Sequence, residues 1–519
     1  MHWAEKIADS LIQQHPDRSE FHCASGTTPS GPVHCGNLRD LLTNWFVARC
    51  LLERGRRVRL LHSWDDYDRF RKVPKNVPPS YSEHLGKPVA DVPDPWKEYS
   101  SYAARYETIF ERSLAKLGLE VTYRYQARMY RERQYNASII EAIRKRRQIY
   151  DIISSFRTQK GAEDERERYF PVEVYCPRCR RDTTRFTSFD EEQFVFTYRC
   201  ACGFEGSGTA ATADNLKLPW KVDWAMRWRH EEVVFEPAGK DHGTAGGSHE
   251  VASRISKEVF GYAPPFFQVY EFVGIKGVAG KMSGSSGTLI TLDEALEIYQ
   301  PEVLLWVFAR TPPNRAFDLV VDRQIFQVYD EYDRAAQADS GDPDHKAVEL
   351  ASVSGRSLVA VPFRQLASFS GIVRGNHKAL EDIFRRLGTL YSAEQFAERL
   401  QKAEQWLKTY APEEDVRLAG ERRTDYFDNL APERQQWVIA LCQWIKCHEV
   451  TLESANERLY GIPTESSDGG DPRERQKAFF RDLYQLLFDR ERGPRLATFF
   501  AAVPKQDYID LIDFAPAHV

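Results

Sequence analysis

Glu20-Phe21-His22-Cys23-Ala24-Ser25-Gly26, followed by Pro29-Ser30-Gly31-Pro32-Val33-His34-Cys35-Gly36-Asn37, decides the architecture. The first seven residues read as a short buried strand, and the Pro/Gly run reads as a loop. Beyond it, Leu38, Leu41, Leu42, Trp45, Ala48 and Leu52 recur at the helical period, and Gly55 closes the helix. Val58-Arg59-Leu60-Leu61-His62-Ser63 reads as the next strand. Residues 20–63 therefore form a β-α-β unit. Such a unit implies a parallel sheet with right-handed crossovers and a ligand at the carboxyl ends of its strands.

Outward from that unit, an amphipathic helix is expected before residue 14, and further helices at 98–118 and 134–156. Cys, Gly, Thr and aromatic residues break the rhythm between 160 and 215, which reads as a small inserted β-rich module. Strand and helix signals resume between 230 and 273, and from about 293 nearly everything reads as helix. The chain has 519 residues, more than one core accommodates. With 42% hydrophobic and 28% charged residues it has a globular composition, and a net charge of −5 argues against a uniformly basic nucleic-acid coat. No apolar run approaches a membrane span, and the acids in Met1-His2-Trp3-Ala4-Glu5-Lys6-Ile7-Ala8-Asp9 do not suit a signal or transit peptide. Nine cysteines, four of them clustered, suit a reducing cytoplasm better than a disulfide framework.

His34-Cys35-Gly36-Asn37 falls where a strand has ended and a helix begins. A helix start is expected to offer unpaired N–H groups and the positive dipole end to a phosphate. Gly36 lets a nucleotide approach the backbone, and His34 can donate to a phosphate oxygen. Asn37 either caps the helix or reaches the ligand. Alone, the tetrapeptide is as readily an ordinary turn with a surface histidine. The second segment, Lys281-Met282-Ser283-Gly284-Ser285-Ser286-Gly287, is rich in glycine and able to close over a ligand. Lys281 is a mobile charge for phosphates, and Ser283 and Ser285 can donate to the same oxygens.

Cys176-Pro177-Arg178-Cys179 and Cys200-Ala201-Cys202-Gly203 are two close thiol pairs separated by twenty residues. Cys176, Cys179, Cys200 and Cys202 suit a tetrahedral structural Zn²⁺ in a ribbon-like module, although one intervening residue in the second pair is tight for a shared metal.

The two phosphate segments resemble the HIGH and KMSKS signatures of class I aminoacyl-tRNA synthetases. Within that class the chain is similar to the class I lysyl-tRNA synthetases nearly end to end. The resemblance includes Ser63-Trp64-Asp65-Asp66-Tyr67-Asp68 with Arg71-Lys72-Val73-Pro74, and Trp220-Lys221-Val222-Asp223-Trp224-Ala225-Met226-Arg227-Trp228. It also includes Phe235-Glu236-Pro237-Ala238-Gly239-Lys240-Asp241-His242 and Gly246-Gly247-Ser248. It implies an α/β fold: a Rossmann-like parallel-sheet catalytic domain at 1–160 and 216–275, with a zinc-ribbon-like insertion at 161–215. A loop and stem domain at 276–330 and an all-α, tRNA-binding C-terminal region at 331–519 complete it. The implied reaction activates L-lysine with ATP to lysyl-adenylate and transfers it to tRNA(Lys), with Mg²⁺ on the ATP phosphates and the inserted module facing the acceptor arm. A monomer is the expected state. A silent tRNA-binding relative, or the same fold with another amino-acid specificity, are the alternatives.

By that resemblance His34, Asn37 and Lys281 are catalytic. His34, Gly36, Asn37, Gly239, Asp241, Lys281, Ser283 and Ser285 hold ATP. Gly26, Thr28, Asp65, Trp220, Trp224 and His242 hold lysine. An ammonium group needs a carboxylate or an aromatic face to offset its desolvation. Asp65, Asp66, Asp68, Asp223 and Glu271 are the candidate acids, unranked, and Trp220, Trp224 and Tyr270 the candidate aromatics. Trp220, Trp224 and Trp228 at a spacing of four equally describe a helical core stripe. Two departures stand out. Gly284 replaces a second lysine of the KMSKS pattern, and Tyr99 and Arg105 fall where some relatives carry zinc-binding histidines, so no metal is expected there. Trp406, Tyr410 and Trp437 are candidates for base stacking, set against a core role for each.

Overall fold

β1 (Glu20–Thr27) is buried almost without interruption, as a central parallel strand covered on both faces must be. It is known from a computed structural model of the chain, which describes residues 1–514 apart from 158–163, 245, 279–281, 283–288, 354, 355, 357 and 466–470. β1 pairs in parallel with β2 (Arg57–Trp64), from Glu20 opposite Arg57 to Thr27 opposite Trp64. The helix Cys35–Glu53 connects them, so the expected β-α-β unit is present. β3 (Thr122–Tyr125) continues the sheet beyond β2. The chain then returns to the other side of β1 with β4 (Val233–Gly239) and β5 (Phe266–Tyr270). The order is β5-β4-β1-β2-β3, all parallel.

That order has a consequence for ligands. Connections from β1 run toward β2 and β3, whereas β4 lies on the opposite side, so the topology switches between β1 and β4. In open parallel sheets the crevice at such a switch is where ligands bind.

The chain forms two compact units. The first comprises residues 1–296, 301–320 and 334–356, and holds the sheet. Its core gathers Ala24 and Leu61 from the sheet with Trp224, Trp228, Val251 and Ile255 from the helices Trp220–His230 and Ser248–Glu258. The β-rich insertion is an antiparallel three-stranded sheet of Thr184–Asp190, Val195–Cys200 and Glu205–Thr209. The second unit, residues 297–300, 321–333 and 357–519, is helical among its described residues. There Arg399, fully buried, forms two bonds to Asp333 at 2.7 and 2.9 Å and lies over the Tyr329 ring. Trp406 and Trp437 are buried in this unit, and the Trp406 Nε1 donates to the Val321 carbonyl. These two rings are core, not base-stacking platforms, because the helical stripe that displays them faces inward. No helix among the described residues is long and apolar enough to cross a membrane.

Candidate active site

A cavity of about 750 Å³ is lined by residues at the carboxyl ends of β1 and β4, Gly26, Thr27 and Thr28 from the first and Gly239 from the second. Its wall also carries His34, Gly36 and Asn37 from the start of the helix Cys35–Glu53. The local sequence explains the geometry of that helix start. The His34 Nδ1 accepts from the Gly36 amide at 3.1 Å, and the Asn37 Oδ1 accepts from the His34 amide at 3.2 Å. This is a capping box with histidine at its head. A neutral imidazole whose Nδ1 accepts carries its proton on Nε2, which makes Nε2 the donor.

The same bonds alter the expectation of free backbone donors. The Gly36 N–H is spent on His34, the Cys35 N–H donates to the Ile290 carbonyl at 2.9 Å, and the Asn37 N–H to the His34 carbonyl at 2.8 Å. What this helix start offers an anion is its dipole, with His34 and Asn37 in the cavity wall beside it. The Asn37 oxygen caps the helix, and the residue also lines the cavity. Gly36 is required by its neighbour: a Cβ there would lie 2.8 Å from the His34 Nδ1 and Cε1, and would displace the imidazole. Gly239 is similar, for a Cβ there would lie 2.7 Å from the Asp241 Oδ1.

Lys281, Ser283 and Ser285 lie outside the described residues. Met282 between them is described, is buried and lines the cavity, and a Cβ on Gly36 would lie 3.7 Å from its Cβ.

The candidate acids separate once their partners are known. Asp66 accepts from the Ala127 amide at 2.7 Å, and burial pushes its carboxyl up to about 7. Asp223 lies beneath the wall with Lys217 at 2.9 Å, Arg227 at 3.5 Å and the Tyr130 hydroxyl. Burial alone would raise its carboxyl, but Lys217 and Arg227 outweigh burial and hold it low. Glu271 pairs with Lys240 at 2.7 Å. None of these three lines the cavity. Asp65 and Asp68 do. Asp65 pairs with Arg227 at 2.7 Å and Asp68 with Lys217 at 3.3 Å. Burial raises the Asp65 carboxyl against the pull of Arg227.

Asp241, His242, Trp220 and Tyr270 line the same cavity. Trp224 does not: it stacks behind Trp220, with ring centroids 5.1 Å apart and planes at 19°, and faces a small adjoining cavity of about 30 Å³. A residue one helical turn deeper on the same stripe is screened by the first ring. Arg69, Arg71 and Lys72 add positive charge to the lining. Glu236, Arg227 and Lys217 stand around the site without being among the residues expected there. The sequence signal for them is a charged residue inside an otherwise buried stretch.

The four sulfurs of Cys176, Cys179, Cys200 and Cys202 lie within 4.8 Å of one another. The Cys176–Cys202 and Cys179–Cys200 separations are 3.7 and 3.6 Å. Tetrahedral Zn²⁺ with bonds of about 2.3 Å places its sulfurs about 3.8 Å apart, and a disulfide needs about 2.05 Å. The donor set fits the metal, and all nine cysteines are free. The tight Cys200-Ala201-Cys202 spacing is accommodated by Gly203, whose φ of +83° closes the turn with its amide on the Cys200 carbonyl.

The family profile described as tRNA synthetases class I (K) matches residues 1–354. The lysine–tRNA ligase of Thermococcus kodakarensis is 36% identical, over 98% of this chain and 98% of that protein. The lysine–tRNA ligase of Treponema pallidum is 34% identical, over 98% of this chain and 97% of that one. Among solved structures, a glutamate tRNA ligase from Elizabethkingia meningosepticum superposes with a TM-score of 0.43 at 13% identity, covering 95% of this chain and 98% of that chain.

Proposed function

The chain belongs to the class I (K) tRNA synthetases, and from that premise we propose how its cavity divides the work. Its reaction is lysine–tRNA ligation. The lysine carboxylate attacks the α-phosphorus of ATP, a P–O bond forms, and the bond to pyrophosphate breaks. A ribose hydroxyl of the terminal tRNA adenosine then attacks the carbonyl carbon of the adenylate, and AMP leaves with the bonding pair. Such steps need positioning and charge stabilisation more than a nucleophilic side chain.

The observation that carries the site assignment is the shared wall of His34, Asn37, Gly239 and Asp241 with Asp65, Asp68, Trp220 and His242. The His34 Nε2–H donates to phosphate oxygens as charge builds, and the Asn37 amide nitrogen assists. Lys281, Ser283 and Ser285 are assigned to the same phosphates, and the position of their neighbour Met282 against Gly36 supports that reading. Asp241, beside Gly239, accepts from ribose hydroxyls. Mg²⁺ enters with the substrate, carried by the ATP phosphates, and no residue of the chain is assigned to it. Arg69, Arg71 and Lys72 suit ATP phosphates and an RNA backbone at the mouth.

Lysine selection follows from charge. Asp65, Asp68 and Asp223 face Lys217 and Arg227, with Glu236 near Arg227 as well, so carboxylates outnumber cations. An ammonium group settled against Asp65 and Asp68, with Trp220 and Tyr270 as aromatic faces, offsets part of that excess. Zn²⁺ in the tetracysteine cluster braces an insertion too small to hold a core of its own.

Charging of tRNA(Lys) transcripts, assayed with each of the twenty amino acids and with tRNA present throughout, tests the reading. Lysine alone is expected to be attached. Attachment of another residue in its place overturns the specificity assignment, and no attachment overturns the activity.

A further inference from the structure

Glu236 lies in β4 with both carboxylate oxygens committed to indoles. The Trp224 Nε1 donates to its Oε1 at 2.9 Å and the Trp228 Nε1 to its Oε2 at 2.6 Å. The two tryptophans are one helical turn apart, and Trp220 extends the stack by one turn more. Only Trp220 of the three reaches the main cavity. The Trp224 ring also meets the His242 ring edge-on, with centroids 5.8 Å apart, and His242 lines the cavity.

A carboxylate is an expensive choice at this position. Burial raises the Glu236 carboxyl, and the indole bonds and Arg227 oppose that rise without cancelling it. An ionised carboxylate nevertheless has a property no neutral side chain of its size shares: two acceptor oxygens and no donor, matched to two N–H groups. Trp224, Trp228 and Glu236 border the adjoining cavity of about 30 Å³, room for a water molecule beside the indoles.

We propose that Glu236 is a positioning residue for the amino-acid end of the cavity. By pinning the indole edges of Trp224 and Trp228 it sets the plane of Trp220 and the seat of His242. The lock itself is geometric, whereas its effect on lysine rests on the functional reading given above.

The test is Glu236→Gln in the full-length enzyme. The amide offers one acceptor and turns a donor toward the other indole, so one bond is lost and two donors oppose each other. The KM for lysine is expected to rise about tenfold, the factor one lost hydrogen bond is worth, while the KM for ATP changes less than about threefold. The Trp224 and Trp228 indole N–H resonances are expected to shift together. Shifted resonances with an unchanged lysine KM overturn the positioning role, and unshifted resonances overturn the lock. A wild-type protein that charges no lysine defeats the functional reading instead, and the resonances still report on the lock. Should the glutamine variant fail to fold, Trp228→Phe keeps a ring in the stack and removes one donor. It is then expected to raise the lysine KM in the same direction by a smaller factor, and an unchanged KM in that variant overturns the proposal.

Discussion

The Arg227 guanidinium donates to the Asp65 carboxylate at 2.7 Å while lying 5.2 Å over the Trp220 ring, so one buried cation ties an acid and an aromatic of the same cavity wall together. The bond joins the end of β2 to the helix Trp220–His230, elements 162 residues apart in the chain.

Arg227→Met leaves Asp65 and Asp223 short of a cation in a water-poor interior. Removing one partner of a buried pair costs about 3–5 kcal/mol. Urea unfolding of the first unit's transition is expected to show a loss of that size, accompanied by loss of lysine charging. A stability within about 1 kcal/mol of the parent contradicts the role given to this ion network.

Gly36→Ala places a methyl group 2.8 Å from the His34 imidazole, whose ring must move aside. Adenylate formation, measured with tRNA present, is expected to fall about 10²-fold or more, with a melting temperature within about 3 °C of the parent. His34→Ala is expected to act similarly, and the double variant to be no slower than the worse single one. Additive losses would mean that Gly36 serves something other than the imidazole.

Metal analysis of the purified protein is expected to find zinc bound to the tetracysteine cluster. Chelation or Cys179→Ser is then expected to raise hydrogen exchange in residues 173–217 about 100-fold before the parallel sheet loosens. Protein free of zinc, with those amides equally protected, removes the metal from the account.

Glu107 is buried, and its Oε1 meets no hydrogen-bond partner among the described residues. Burial, with Asp66 and Glu111 adding negative charge nearby, pushes its carboxyl up to about 8. An unfolded glutamate ionises near about pH 4.3. Between those values the folded chain keeps a proton that the unfolded chain releases, so stability falls as pH rises through the window and levels off above it. Glu107→Gln is expected to melt higher than the parent at about pH 8 and alike at about pH 4. A difference independent of pH counts against the raised carboxyl.

The β-α-β unit at 20–63, the helix beginning beside His34 and the pairing of four cysteines were all readable in residue order. Each rests on a local pattern: buried runs for strands, a period of 3.6 for the helix, short spacings for ligands. Residue order could not rank Asp65 and Asp68 above Asp66, Asp223 and Glu271. That ranking depends on which carboxylates the folded chain brings to the cavity wall, where Asp65 and Asp68 stand and the other three do not. Nor could it say that Trp220 meets the cavity while Trp224 turns to Glu236, since both stand on one helical stripe and only the packing against β4 separates them. Periodicity specifies which face of an element is buried. Which charge neutralises which, and which ring of a stripe is left at the surface of a cavity, is decided by partners from distant parts of the chain, and those become neighbours only when the sheet has assembled.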